Sequence, residues 1–261
     1  MTRDMPVPID VTLMNRTASA LFIVFVALVV GAVLGWAWRH PLFAISHIAV
    51  TGEITHSTAM TLRTHVVPQL SGTFFTMDLA RTRLAFEAAP WVRQAVVHRA
   101  FPNQLNVQLQ EHQAAAYWGA ESESKLVNNF GEVFEANVGE VEQEALPRLS
   151  GPEGQAAQVL TMYQTLQSQF KPAALALDQF ELNGHGGWRA RLNTDALIEF
   201  GGGSPAEVLA RTQQFLQTLT QVTARYGRTP QALETADLRH QDGYAIRLRG
   251  VTTLVLDSSK K

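Results

Sequence analysis

From Ala18 to Trp38 the sequence reads ASALFIVFVALVVGAVLGWAW, 21 residues without a charged side chain. A helix rises about 1.5 Å per residue, so this stretch covers roughly 30 Å, the thickness of a bilayer's hydrocarbon core. No other stretch of the chain is comparable. Arg16 precedes it and Arg39 with His40 follows it, so ionisable groups bracket both ends. Trp36 and Trp38 fall where an aromatic belt would hold a helix at the lipid–water boundary. A cleaved signal peptide is the alternative, and Gly35 and Ala37 mimic the small residues of a cleavage site. Its apolar region is shorter, however, about 7–15 residues. The length favours an uncleaved anchor over residues 18–38 behind a tail of residues 1–17. Charge leaves the sidedness open, because Arg3 and Arg16 before the span are set against Arg39 just after it.

The composition as a whole is that of a globular protein. Of the 261 residues, 46% are hydrophobic, enough for one large core or two small ones. The formal net charge of -2 argues against sequence-independent nucleic-acid binding, which needs a basic surface. There is no cysteine. That excludes a disulfide framework, a thiolate metal site and a cysteine nucleophile together.

Residues 41–111 alternate strand and helix patterns. Ile45 to Val50 reads as a strand closed by a Thr51-Gly52-Glu53 turn. Ser57 is placed to N-cap a helix that runs to about Val67 and is ended by Pro68. Asp78 is placed to cap a second helix, with Leu79, Leu84 and Phe86 on its apolar face and Pro90 beyond its end. Trp91 to Ala100 reads as a strand, with Trp91 itself a core residue tying the second helix to the sheet. Phe101-Pro102-Asn103 then turns the chain. Leu105, Val107 and Leu109 alternate with Asn106, Gln108 and Gln110, the period of a half-buried strand. The order β-α-α-β-β predicts a small sheet with helices over one face.

Residues 112–250 are richer in strands. Ala115 to Trp118, Lys125 to Asn128 and Glu132 to Phe134 read as short strands, with Glu121 to Lys125 opening on a solvated loop. Glu153 to Phe170 has helical spacing, and strands are expected at Ala174–Leu182, Trp188–Leu192 and Leu197–Phe200. Ser204, Pro205 and Glu207 supply N-cap, N1 and N3 of a capping box opening a helix to about Tyr226. Two closing strands lie near Thr235–Arg239 and Tyr244–Arg249, and residues 251–261 form a polar tail. The whole reads as an α+β protein.

The chain carries no motif of a catalytic or cofactor site. Gly201-Gly202-Gly203-Ser204 precedes a helix, as a phosphate cradle does, but lacks the P-loop's Gly-Lys-Ser/Thr and reads as a strand-to-helix turn. The eight histidines are scattered without a ligand pair such as His-Glu-x-x-His, so no metal is expected. No Gly-x-Ser-x-Gly elbow and no nucleophile–base grouping appears, so neither catalysis nor a cofactor is expected.

Several patterns nevertheless share one order. Phe43-x-Ile45-x-x-Ile48-x-Val50-x-Gly52 follows the anchor, then come Pro90-Trp91-Val92-x-x-Ala95-x-Val97-x-Arg99 and Pro102-x-x-Leu105-x-Val107. Glu111, Ala116-x-Trp118, Leu126-Val127-Asn128-x-x-Gly131-x-Val133-Phe134 and Leu146-Pro147-x-Leu149-x-Gly151-Pro152 continue the series, and Asp237-Leu238-Arg239 closes it. In this order they resemble the FtsQ/DivIB family of bitopic cell-division proteins. The resemblance implies a POTRA domain over residues 41–111 and a β-domain over 112–250. It also implies a single-pass type II protein of the inner membrane, with a cytoplasmic tail and its bulk in the periplasm, enriched at the division septum. A non-enzymatic scaffold linking early and late divisome proteins is the function implied, with the POTRA domain serving septal recruitment. FtsB, and FtsL through it, are the implied partners of the β-domain, with FtsK, FtsW and FtsI among the other divisome proteins. FtsB would add a strand to the last strand of the sheet, where unpaired backbone groups give affinity and side chains give register. The residues this assigns to partner binding are Arg239, His240, Asp242, Gly243, Tyr244 and Leu248. Arg239 suits a bidentate bond to a partner carboxylate, which a lysine would not reproduce; on its own it reads equally as an ordinary exposed strand residue. The chain departs from the family in carrying His240 where an aromatic is frequent and Asn128 where an aspartate is. Its glycines before Trp188 also replace basic residues of some members. A POTRA-bearing secretion or outer-membrane assembly factor is the alternative, but it would carry repeated POTRA units or a barrel. An anchored envelope hydrolase would need site residues that are missing.

Overall fold

The computed structural model describes residues 9–38, 43–141, 145–240 and 243–251. They form an apolar helix and two compact units, residues 1–111 with the helix and residues 112–261. Helix α1 (Ile9–Trp38) starts nine residues before the uncharged run. Its polar opening is compatible with helix because Thr17 satisfies its hydroxyl on the carbonyls of Leu13 and Met14, at 3.2 and 2.9 Å. Within it Leu13–Trp36 is long and apolar enough to cross a membrane, about 36 Å at 1.5 Å per residue, and none of it is buried. Trp36 is exposed at the end of this stretch. The flanking Arg39 and His40, and the side chain of Trp38, lie outside the described residues.

The first unit is a three-stranded sheet in the order β1-β3-β2, with two helices. Its elements are β1 (His47–Glu53), α2 (Ala59–Val66), α3 (Leu79–Glu87), β2 (Val92–Ala100) and β3 (Gln104–Glu111). β1 runs parallel to the central β3, and β2 antiparallel to it. Leu105, Val107 and Leu109 of β3 are buried against Phe86, Leu62 and Val66 of the helices, as the period-two pattern requires.

Three local expectations change here. The Thr51-Gly52-Glu53 turn is strand: β1 continues through it, pairing Gly52 with Leu109. A glycine inside a strand mimics a turn signal, yet here it answers a close approach, since a Cβ on Gly52 would meet Leu109 O at 2.1 Å. The α2 N-cap is Thr58, whose hydroxyl accepts from Thr61 N–H, and not Ser57. Leu84 of α3 faces out, and the buried face is Thr82, Ala85 and Phe86. Trp91 is buried, as expected of a core residue, and its ring stacks on His56 with centroids 4.0 Å apart. Asp78 caps α3 through Ala80 and Arg81 N–H as expected.

Ser57 is occupied by Glu111. The Glu111 carboxylate, at the end of β3, accepts from the amides of Thr55, His56 and Ser57 at 2.8, 3.0 and 2.6 Å. Burial by itself would raise its pKa, but the hydrogen bonds from Ser57 and from the backbone of Thr55 and His56 hold it below the ordinary 4.5. A carboxyl with a depressed folded pKa stabilises fully above its unfolded value and loses this as pH falls through the folded value. The first unit should therefore lose thermal stability on acidification below pH 4.5, and Glu111→Gln should be less stable at neutral pH and flatter in acid. Thermal scans against pH check this; parallel acid limbs for the two proteins would contradict it.

The second unit is one nine-stranded sheet, ordered β12-β11-β10-β9-β8-β7-β4-β5-β6. In chain order the strands are β4 (Ala114–Trp118), β5 (Lys125–Asn128), β6 (Val133–Glu135), β7 (Arg148–Ser150), β8 (Leu177–Leu182), β9 (Trp188–Leu192), β10 (Leu197–Gly201), β11 (Leu233–Asp237) and β12 (Ala245–Leu248). Two helices, α4 (Ala156–Phe170) and α5 (Pro205–Arg225), cover it. Phe170, Phe180, Phe200 and Phe215 are fully buried between helices and sheet, and Phe180 stacks on Trp188 at 5.1 Å. With the first unit this makes an α+β protein. The capping box of α5 forms as expected, Ser204 N–H donating to Glu207 Oε2 at 2.8 Å, and the glycine run is a strand-to-helix turn.

The sequence reading missed β7. Only three residues long, it is parallel to both β4 and β8 and so joins the two halves of the sheet. Three residues leave no measurable period, and Pro147 before them reads as a turn. The strand expected from Ala174 begins only at Leu177, because Lys171–Ala173 forms a 3-10 turn and Ala174 is left-handed. The Asn128 motif is a turn organiser: its buried Oδ1 accepts from Phe130 and Glu132 N–H, both at 2.9 Å. Three residues on, Gly131 has φ +80 and leaves no room for a Cβ, which would lie 2.4 Å from Ala157 Cα.

Candidate partner-binding edge

The last strand, β12, ends the sheet. It pairs antiparallel with β11, Ala236 opposite Ile246 and Asp237 opposite Ala245, and no described strand lies on its other side. Its far end is held by two cations: Arg249 donates to Thr194 O, and Arg228 to Gly250 O at 3.0 Å. Arg249 N–H also bonds inward to Ala232 O. Backbone direction alternates along a strand, so the amides of Leu248 and Ile246 turn outward to the free edge. Such an edge is a template for another strand. The opposite edge of the sheet, β6, is three residues long and carries Glu135.

The residues assigned to partner binding occupy this corner in different ways. Arg239 is exposed just past β11, and its guanidinium holds both oxygens of Asp237, Nε to Oδ1 at 2.9 Å and a terminal nitrogen to Oδ2 at 2.5 Å. Arg239 N–H bonds the same Oδ1 at 3.0 Å. The hydrogen bonds from Arg239 hold the Asp237 carboxyl at about 2, well below its usual range. Gly201 makes room for the arginine stem: it has φ +79, and a Cβ there would sit 3.0 Å from Arg239 Cγ.

His240 is exposed beside Arg239 and Gly243 is half-buried. Tyr244 lies against α5, its hydroxyl 2.5 Å from Thr218 Oγ1 and its ring edge-on to Phe215 at 5.1 Å. Leu248 is buried in the core, so it offers a partner only its backbone; pleating turns its side chain to the same face as that of Ile246. Asp242 lies outside the described residues.

Asp237 was missed as the partner of Arg239, although Asp-x-Arg at strand spacing puts both on one face. Thr218 and Phe215 gave no signal, being 26 and 29 positions from Tyr244. In the first unit, a groove of about 690 Å³ lies between β1 and α2, lined by Ile45, Ile48, Val50, Leu62 and Val66.

An apolar helix long enough to span a bilayer, a β-α-α-β-β unit and a mixed-sheet unit whose last described strand lies at the sheet edge make up the described chain. A family profile described as "POTRA domain, FtsQ-type" matches residues 43–112, and one described as "Cell division protein FtsQ/DivIB, C-terminal" matches residues 116–239. The second match ends at Arg239, so β12 lies beyond it. Similar proteins include the cell division protein FtsQ of Thiomonas arsenitoxydans, 38% identical over 94% of this chain and 90% of that protein. FtsQ of Burkholderia pseudomallei is 36% identical over 97% and 99% of the two chains, and that of Bordetella pertussis 32% over 92% of each. The chain belongs to the FtsQ/DivIB family of cell division proteins.

Proposed function

We propose that this protein is a non-enzymatic scaffold of the divisome that captures FtsB, and FtsL through it, by adding a strand of FtsB to β12. α1 anchors it in the inner membrane as a single-pass type II protein with both folded units in the periplasm, enriched at the septum. FtsK, FtsW and FtsI are further partners of the assembly. The observation that carries this reading is the free outer edge of β12, with Ile246 and Leu248 amides facing out beside the exposed Arg239. Backbone pairing supplies the affinity and the arginine corner the selectivity.

Arg239→Glu tests it. The side chain is largely exposed, so the fold should survive, while a charge-assisted hydrogen bond to a partner carboxylate is worth about 1.5–3 kcal/mol. FtsB binding should weaken about tenfold to a hundredfold, read by calorimetric titration of the detergent-solubilised chain. Unchanged affinity in a folded variant would remove this corner from the interface.

A further inference from the structure

The POTRA-type unit has two poles. β1 runs parallel to β3, with His47 opposite Gln104 and Glu53 opposite Gln110. The chain therefore enters the sheet at the pole of the β2–β3 turn and leaves it, after Glu111, at the other. At the entry pole three separate segments bring phenylalanines together: Phe43 from the entering chain, Phe74 and Phe75 from the α2–α3 loop, and Phe101 from the β2–β3 turn. Phe74 N–H donates to Phe43 O at 2.7 Å, and Ser46 N–H to Asn103 O at 3.0 Å, which fixes the segments to one another. The rings meet edge-on, Phe43 to Phe75 at 5.0 Å, Phe74 to Phe75 at 5.2 Å and Phe74 to Phe101 at 6.1 Å.

This cluster is not core. Phe101 is 77% and Phe75 45% exposed. A contiguous aromatic patch on the surface of a folded unit marks a place that meets an apolar partner. Two observations say which. Phe43 follows Trp38, the end of α1, by five positions, so the patch lies within about 18 Å of the helix end at full extension of the chain. The segments 43–50, 71–77 and 98–104 also contain no acidic residue, while His47, His98 and Arg99 lie among them. Asp78, the next carboxylate, is turned onto the α3 N-terminus.

We propose that this phenylalanine pole rests in the headgroup–acyl boundary of the bilayer that α1 crosses. Aromatic and aliphatic side chains partition there, and the absence of acidic groups removes repulsion from anionic headgroups. The contact makes the POTRA-type unit a two-point attachment, anchored by α1 and seated by the pole, so that the chain leaves Glu111 pointing away from the membrane. The inference rests on α1 crossing a bilayer, and the test separates the two.

The chain has no cysteine, so single labelling sites are clean. Phe101→Cys and, as a control, Gln94→Cys would carry a bimane fluorophore in the full chain, reconstituted in vesicles of phosphatidylethanolamine and phosphatidylglycerol. Gln94 is exposed on β2, about 23 Å along the strand from position 101. Flotation of the vesicles reports α1 insertion independently. In floated vesicles, nitroxide lipids labelled near the headgroup should quench the label at 101 several-fold more than that at 94. Equal quenching would overturn the proposal. So would a label at 101 that is shielded from aqueous iodide yet unquenched by nitroxide lipid, since a protein would then cover the pole.

Discussion

Ile246→Pro is expected to fold and to lose FtsB binding by on the order of a hundredfold. The strand β12 is at the sheet edge, and its Ile246 N–H faces away from β11, so a proline there removes no hydrogen bond of the free protein. It removes a donor from the edge and puts a ring in the path of an incoming strand. The lost Ile246 N–H bond and one neighbouring bond that the ring keeps from forming, at about 1–1.5 kcal/mol each, give that hundredfold loss. Ile246 packs partly on the core, so some thermal stability should go as well. Calorimetric titration of the full chain with FtsB, alongside a thermal scan, reads both. A folded proline variant that binds as the wild type does would exclude strand addition at β12, whereas loss in Arg239→Glu alone would point to a side-chain contact without it.

The second large effect is expected at Gly52. Gly52→Ala should destabilise the POTRA-type unit by about 3 kcal/mol or more, combining a left-handed φ, about 1–2 kcal/mol, with a steric overlap of about 1–3 kcal/mol. The backbone has φ +129 there, and the added Cβ would meet Leu109 O of the neighbouring strand at 2.1 Å. For a unit of this size that is a fall in Tm of roughly 10–20 °C. Limited proteolysis of the full chain should then cut within residues 43–111 while the second unit stays protected. A variant that resists protease as the wild type does would show that β1 and β3 can separate without loss.

Both predictions turn on backbone positions, and the sequence spoke to them unequally. Local chemistry was legible wherever it repeated or capped. The uncharged run marked α1, the alternation at Leu105, Val107 and Leu109 marked β3, and Ser204-Pro205-x-Glu207 marked the start of α5, each governed by its near neighbours in the chain. The motif order also pointed to the family, and the corner around Arg239 with it. Where an outcome depended on a distant neighbour, local reading failed. Gly52 looked like a turn because its need for a glycine comes from Leu109, 57 positions away. Thr58 and not Ser57 caps α2, and the Ser57 amide is held by Glu111, 54 positions away. β7 was invisible because three residues become a strand only when β4 and β8 flank them.

The same division runs through the candidate site. From the sequence came the anchor, the two α+β units and a closing strand that begins near Tyr244. The tertiary structure alone decided that this strand is an edge, that Arg239 is already paired with Asp237, and that Leu248 turns inward while Tyr244 leans on Thr218. The physical reason is range: propensity, capping and periodicity act within a few residues, whereas edges, buried faces and ion pairs are fixed by which strands lie side by side once the sheet has closed over its core.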